Sequence, residues 1–160
     1  MRNTFAKLLV AEMHRNEDIY LLAGDVGFGV LTEAFNLFGS RCFNIGAAEQ
    51  TMIGAAVGLT YEGKMPICYT ITPFLLYRPY EWLRNYVQEE GAPIKLVGSG
   101  YGDDYGKAGA SHWCFEQEKF LSTMLPRIQT FFPQSKEELA AVTWDEFMLP
   151  RPSYLNLRRG

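Results

Sequence analysis

The stretch Arg41-Cys42-Phe43-Asn44-Ile45-Gly46-Ala47-Ala48-Glu49-Gln50, continued by Thr51-Met52-Ile53-Gly54-Ala55-Ala56-Val57-Gly58-Leu59, sets one carboxylate at the head of a run of small and apolar residues. Gln50 and Thr51 are the only other polar side chains after Asn44. A Glu in the first turn of a helix is favoured by the helix dipole by roughly 0.3–1 kcal/mol, and that is the plainer reading of Glu49. The flanks argue for more. Gly54 and Gly58 each cost a helix roughly 1 kcal/mol relative to Ala, so with Ala55 and Ala56 they announce a close packing partner. Glu49 is therefore expected to be buried at an interface. Desolvation disfavours the charged form of a carboxyl, which suits a group that shares or shuttles a proton in general acid–base chemistry.

Outward from this helix, expected over 49–61 and ended by Glu62-Gly63, the pattern alternates. Phe5, Leu8, Leu9 and Met13 share one helical face, which predicts a helix over 3–15. Asp18 to Ala23 is a short apolar run stopped by Gly24-Asp25, as in a strand buried in a parallel sheet. Met65 to Ile71 and Pro93 to Gly98 read as further strands, with a helix over 74–90 in which Pro79 lacks the backbone donor and bends or delays the first turn. A helix near 115–124, a strand Ile128 to Phe132, a helix over 136–148 and a last strand Ser153 to Leu157 complete the chain. Ser135 and Glu138 have capping-box spacing. The alternation predicts one domain over 1–160, a three-layer α/β/α fold with a mostly parallel sheet. Ligands of such folds bind at the carboxyl ends of strands. That points to the loops at Asp25, Thr72-Pro73, Gly98–Gly109 and Arg158, of which the first three carry most of the unusual residues.

Composition narrows the function. With 160 residues, 48% of them hydrophobic and 21% charged, the chain is an ordered domain able to bury a core. A net charge of −3 and the lack of a basic run argue against nucleic-acid binding. No apolar stretch has the roughly 18 residues of a membrane span. Lys7, Glu12, His14 and Arg15 interrupt the first segment, unlike a signal peptide. Cys42, Cys68 and Cys114 lack metal-type spacing and read as reduced core thiols of a cytoplasmic protein.

Taken in order, four features resemble the pyrimidine-binding domain of transketolases and related thiamine-diphosphate enzymes. Asn44-Ile45-Gly46-Ala47-Ala48-Glu49-Gln50 resembles its signature. Phe74, Tyr77 and Tyr80 resemble the aromatic cluster at the aminopyrimidine ring, although spacing of three is also core spacing. Ser111-His112, with Glu116-Gln117 after it, resembles an element carrying a substrate-contacting histidine, and Asp25 an acidic position near the cofactor. The resemblance implies that Glu49 bonds N1′ of the aminopyrimidine and so favours the imino tautomer that takes the thiazolium C2 proton. It implies an aromatic stack from Phe74, Tyr77 and Tyr80, and proton handling or hydroxyl binding by His112. His14, beside Arg15 and Glu17, reads as solvated.

The same resemblance exposes what the sequence lacks. The family binds the diphosphate through Mg²⁺ on a second domain carrying Gly-Asp-Gly and a downstream Asn, where hard oxygen ligands suit the ion. Gly24-Asp25-Val26 is not that motif, and the family's C-terminal domain is missing too. The expectation is a subunit of a split enzyme or an excised domain, with Met1 close to the first helix favouring an independent gene product. The partner is then a separate chain holding Mg²⁺ and the diphosphate, in a hetero-oligomer formed through helix 49–61. The implied substrate is a sugar phosphate or a 2-oxo acid, and the implied reaction transfer of a two-carbon ketol unit. Decarboxylation or carboligation of a 2-oxo acid, deoxyxylulose-phosphate-synthase-like chemistry and a non-catalytic partner role are the alternatives. Ala108 stands where transketolases carry an acidic residue four positions before the histidine, which implies a donor other than a standard pentulose. Lys107 and Arg78 are either solvated or reach an anionic substrate. The Gly98–Gly109 loop lacks the Lys-Ser/Thr ending of a P-loop, and Asp103-Asp104 lacks the spacing of a calcium loop.

Overall fold

The computed structural model describes residues 1–159, except for the side chain of Val142. Six parallel strands, β1 (Ile19–Ala23), β2 (Cys42–Asn44), β3 (Met65–Ile71), β4 (Lys95–Ser99), β5 (Gln129–Phe131) and β6 (Ser153–Leu157), lie in the order β2-β1-β3-β4-β6-β5. The helices are α1 (Arg2–Arg15), α2 (Thr32–Leu37), α3 (Glu49–Tyr61), α4 (Thr72–Tyr77), α5 (Tyr80–Trp82), α6 (Gln117–Met124), α7 (Lys136–Glu138) and α8 (Trp144–Met148). Two π-type segments, Leu83–Glu89 and Leu139–Thr143, continue α5 and α7.

Side-chain alternation makes the layers. Leu21, Ala23, Ile67, Tyr69, Val97, Leu155 and Leu157 pack with Phe5, Leu9 and Met13 of α1, Ala34 of α2, and Trp144 and Phe147 of α8. Leu22, Cys68, Leu96 and Tyr154 face the other way, onto Met52, Ile53, Ala56 and Val57 of α3, Leu83 and Val87, and Leu121 of α6. A sheet covered on both faces explains why its strands read as nearly continuous apolar runs.

Helix 49–61 and strands 65–71 and 153–157 lie where their patterns place them, and the expected helix 136–148 forms with a kink at Ala141. The predicted cap also forms, the Glu138 N–H donating to Ser135 Oγ at 3.0 Å. Two elements escaped the sequence reading. The strand β2 has three residues, of which Phe43 and Asn44 are exposed on the sheet edge, and α2 has six with only Ala34 buried. The expected loop at Thr72-Pro73 is instead the first turn of α4, which starts directly at the end of β3. Pro73 suits that first turn because its missing N–H is not needed there. The expected helix 74–90 breaks at Arg78-Pro79 for the converse reason.

The chain runs from β1 outward to β2, then returns across β1 to β3. The sheet's order therefore reverses between β1 and β3, and the crevice at their carboxyl ends is where such folds place a ligand. Glu49, at the head of the crossover helix α3, stands at that reversal.

Candidate active site

Asn44 shapes the rim of the crevice. Its Oδ1 accepts from the backbone N–H of Asp25 at 3.1 Å and of Gly46 at 3.0 Å, and its Nδ2 donates to Asp25 Oδ1 at 3.4 Å. These bonds join the ends of β1 and β2 and turn the chain through Gly46, φ +75°, into α3. Among the described residues Asp25 is the one non-glycine with positive φ, +55°. Such strain gathers at functional sites. Before it, Gly24 allows a close approach: a Cβ there would stand 2.8 Å from Thr70 Oγ1 and 3.5 Å from Glu49 Oε1.

Glu49 is 1% exposed, as its apolar flanks predict. Its Oε1 lies 3.5 Å from Thr70 Oγ1, and its Oε2 accepts from Arg78 Nη1 at 2.7 Å. Arg78, although its side chain stays partly in solvent, is the counter-charge of the buried carboxylate. Leaving that carboxylate unpaired would be costly. The Arg78 guanidinium also lies over the Phe74 ring, 3.7 Å from its centroid, and the Arg78 carbonyl accepts from Gln50 Nε2 at 3.2 Å.

Phe74 touches His112 edge to face, with centroids 4.9 Å apart. His112 sits on a 3₁₀ turn, Ala110–His112, with its Nδ1 3.0 Å from Ser111 Oγ and its ring beside Tyr105. The structure thus brings Glu49, Phe74 and His112 into one connected row through Arg78, with Asp25 at the rim. Tyr77 and Tyr80 turn to α6 instead. Both rings pack on Phe120, and Tyr77 Oη donates to Glu116 Oε1 at 2.6 Å while lying 3.1 Å from Cys114 Sγ. Burial and these two neighbours push the Tyr77 phenol far up, and the same bond holds the Glu116 carboxyl down.

A buried polar cluster fixes the loop that carries His112. Asn156 Nδ2 donates to the Gly100 carbonyl at 2.9 Å and to Gln117 Oε1 at 3.0 Å. Thr72 Oγ1 donates to the same carbonyl at 2.7 Å, and Tyr154 Oη to Gln117 Oε1 at 2.6 Å. The ends of β4 and β6 and the first turns of α4 and α6 are thereby tied together. Asp104 closes a turn, its Oδ2 accepting from the N–H groups of Tyr101 and Arg159. Among the described residues no cluster of metal-binding side chains occurs, and Lys107 and Ala108 are exposed.

Other expectations find their places. The cysteines are free and buried, and burial raises Cys42 and Cys114 to about 11, so both are inert thiols. The solvated His14 lies edge-on to Phe38. Within α3, Gly54 admits the Trp82 ring, which a Cβ would meet at 3.4 Å, whereas a Cβ on Gly58 would meet nothing within 4 Å. Close approach at Gly54 is thus an internal contact, and only the Gly58 side of the helix is open. Among the described residues no helix is long and apolar enough to cross a membrane.

Sequence reasoning missed Asn44, Thr70 and Asn156, and left Arg78 unassigned. Arg78 had a usable signal, since it follows Phe74 by four residues and so shares its helical face. Asn156 had none, because its partners Gly100 and Gln117 lie 56 and 39 positions away in sequence.

Comparison with known proteins agrees with this fold. The family model described as transketolase, pyrimidine binding domain, matches residues 1–160. The 6-deoxy-6-sulfo-D-fructose transketolase subunit SqwH of Clostridium sp. (strain MSTE9) is 26% identical over 160 residues, 99% of this chain and 49% of that protein. The 1-deoxy-D-xylulose-5-phosphate synthase 1, chloroplastic, of Oryza sativa subsp. japonica is 28% identical over 160 residues, 99% of this chain and 22% of that protein. Among solved structures, a split gene transketolase described as an inactive beta4 tetramer superposes with a TM-score of 0.84 at 29% identity, covering 99% of this chain and 51% of that one. The chain thus spans about half or less of each of these relatives.

Proposed function

The chain belongs to the transketolase pyrimidine-binding domain family, and from that premise we propose that it is the pyrimidine-binding half of a split thiamine-diphosphate-dependent, transketolase-like transferase, active with a separate partner chain. The carrying observation is Glu49: a buried carboxylate at the switch point of the sheet, with an aromatic face, Phe74, reached through its own counter-ion. An aminopyrimidine needs such a set, a carboxyl group for its ring nitrogen and a flat apolar surface for its face. The Gly24 cradle, which a Cβ would fill, fits the same need for close approach.

When bound, thiamine diphosphate supplies the carbon nucleophile that carries a two-carbon ketol unit. Glu49 holds or releases a proton at N1′, and its burial keeps bulk water from competing for that bond. Phe74 offers its face to the ring, while Tyr77 and Tyr80 support the helix carrying it through α6. His112, held against Phe74, handles a proton or hydroxyl of the substrate. Asp25 lines the rim. Mg²⁺ and the diphosphate fall to the partner chain, and the open Gly58 side of α3 is the surface offered to it. The substrate is a sugar phosphate or a 2-oxo acid. Likeness to the plant synthase over nearly the whole chain supports deoxyxylulose-phosphate-synthase-like chemistry as a second reading. The test is reconstitution with a chain carrying Gly-Asp-Gly and a downstream Asn, assayed for ketol transfer with either chain omitted. Transfer that requires both chains supports the reading. A stable complex in which the partner is equally active alone would make this chain a non-catalytic companion.

A further inference from the structure

The two features that qualify Glu49 and Phe74 for an aminopyrimidine are already engaged within the chain. Arg78 Nη1 donates to Glu49 Oε2 at 2.7 Å, and the same guanidinium lies 3.7 Å from the centre of the Phe74 ring. A guanidinium is flat, delocalised and rich in N–H donors, and it both pairs with carboxylates and stacks on aromatic faces. Those are the properties an aminopyrimidine would bring. We infer that Arg78 is a placeholder, which fills the carboxylate and the ring face in the free chain and must withdraw when an aminopyrimidine arrives.

The asymmetry of the pair says which partner moves. Glu49 is 1% exposed and fixed on the first turn of α3, whereas the Arg78 side chain is 44% exposed. A long cationic side chain at the surface can carry its head into water at little cost, and a buried carboxylate cannot. The backbone of Arg78 need not shift, because it is already held: its residue caps α4 and its carbonyl accepts from Gln50 Nε2. The exchange is therefore one of side-chain rotamers about a fixed point. While Arg78 is in place, the buried charge stays paired and Glu49 stays pointed into the crevice, so the site is kept in order at the expense of affinity. Apparent affinity falls in proportion to the fraction of time the competent state is open.

This inference rests on the pyrimidine-binding reading, and one experiment separates the two. The probe is the free pyrimidine half of the cofactor, 4-amino-5-hydroxymethyl-2-methylpyrimidine, titrated into the full chain and followed by NMR. In the wild type the side-chain N–H signals of Arg78 should move toward those of a solvated arginine as the probe saturates. Arg78→Met should tighten probe binding about tenfold, as expected if the open state is a minor one, and Arg78→Lys should fall between. Glu49→Gln should weaken binding in every background. Glu49-dependent binding with unmoved Arg78 signals, or with affinity unchanged in Arg78→Met, overturns the placeholder and leaves the pyrimidine site standing. Absence of Glu49-dependent binding in wild type and both Arg78 variants overturns the pyrimidine reading and the placeholder with it. The wild-type arginine signals keep the test decisive should Arg78→Met unfold.

Discussion

Phe74 and His112 meet edge to face with their ring centroids 4.9 Å apart, which joins the helix after β3 to the loop after β4. The contact couples a ring at the buried carboxylate with a titratable group on the outer side of the crevice. In the proposed enzyme, replacing His112 by Asn should lower kcat/KM about 10²-fold, the lower end of general acid–base effects. Cofactor affinity should be unchanged. Steady-state kinetics and a cofactor titration of the complex check both halves of the claim, and an equal loss of cofactor affinity would move His112 from substrate to cofactor.

Asn156 should matter to stability more than any exposed polar residue near the crevice. Its amide bonds Gly100 and Gln117 inside the protein, and each of these acceptors keeps a second donor, so Asn156→Ala removes two buried hydrogen bonds at about 0.5–1.5 kcal/mol each. Urea unfolding should show a lower midpoint with an unchanged slope. A midpoint like that of the wild type would mean that the cluster closes without it.

Lys95 gives the fold a pH dependence. Its side chain is buried at the start of β4, with Nζ donating to the carbonyls of Leu149 and Arg151. Burial first, and the charge of Arg151 second, push the ammonium from 10.5 down to about 7. The native state thus gives up this proton earlier than the unfolded chain does. Between about pH 7 and 10.5 the unfolded state binds more protons, so this group makes stability rise with pH across that window. Below about 7 its penalty is fully present. Unfolding free energies at pH 7 and 9 should rise more steeply for wild type than for Lys95→Met, and parallel curves would remove Lys95 as the cause.

Alone, the chain should bind thiamine diphosphate poorly even with Mg²⁺, because the proposed site serves only the pyrimidine and no cluster of metal-binding side chains occurs among the described residues. Isothermal calorimetry of the purified chain is the check. Micromolar binding without a partner would show that the chain holds both halves of the cofactor.

The layered fold could be read from the sequence because buried parallel strands and amphipathic helices leave strong local patterns. Helix 49–61 and strand 65–71 announce themselves in this way. The strand β2 does not, since a three-residue edge strand with two exposed side chains has no apolar run to betray it. The burial of Glu49 was legible for the same reason that α3 was, namely the absence of polar company. Its pairing with Arg78 was not, because the two residues lie on different helices, 29 positions apart in sequence. The spacing of Phe74, Tyr77 and Tyr80 suggested one cluster. The structure instead sets Phe74 beside His112 and packs both tyrosines on Phe120. Long-range polar bonds, such as those of Asn156, carry no sequence period at all.

The central claim is that Glu49 acts on the cofactor's pyrimidine. It is tested most directly by Glu49→Gln in the reconstituted complex, with ketol transfer measured at saturating thiamine diphosphate and complex formation checked in parallel. The amide keeps the shape and loses the proton exchange, so transfer should fall about 10²–10⁴-fold, the range of general acid–base contributions, while the complex still assembles. Wild-type transfer by the Gln variant would contradict the account.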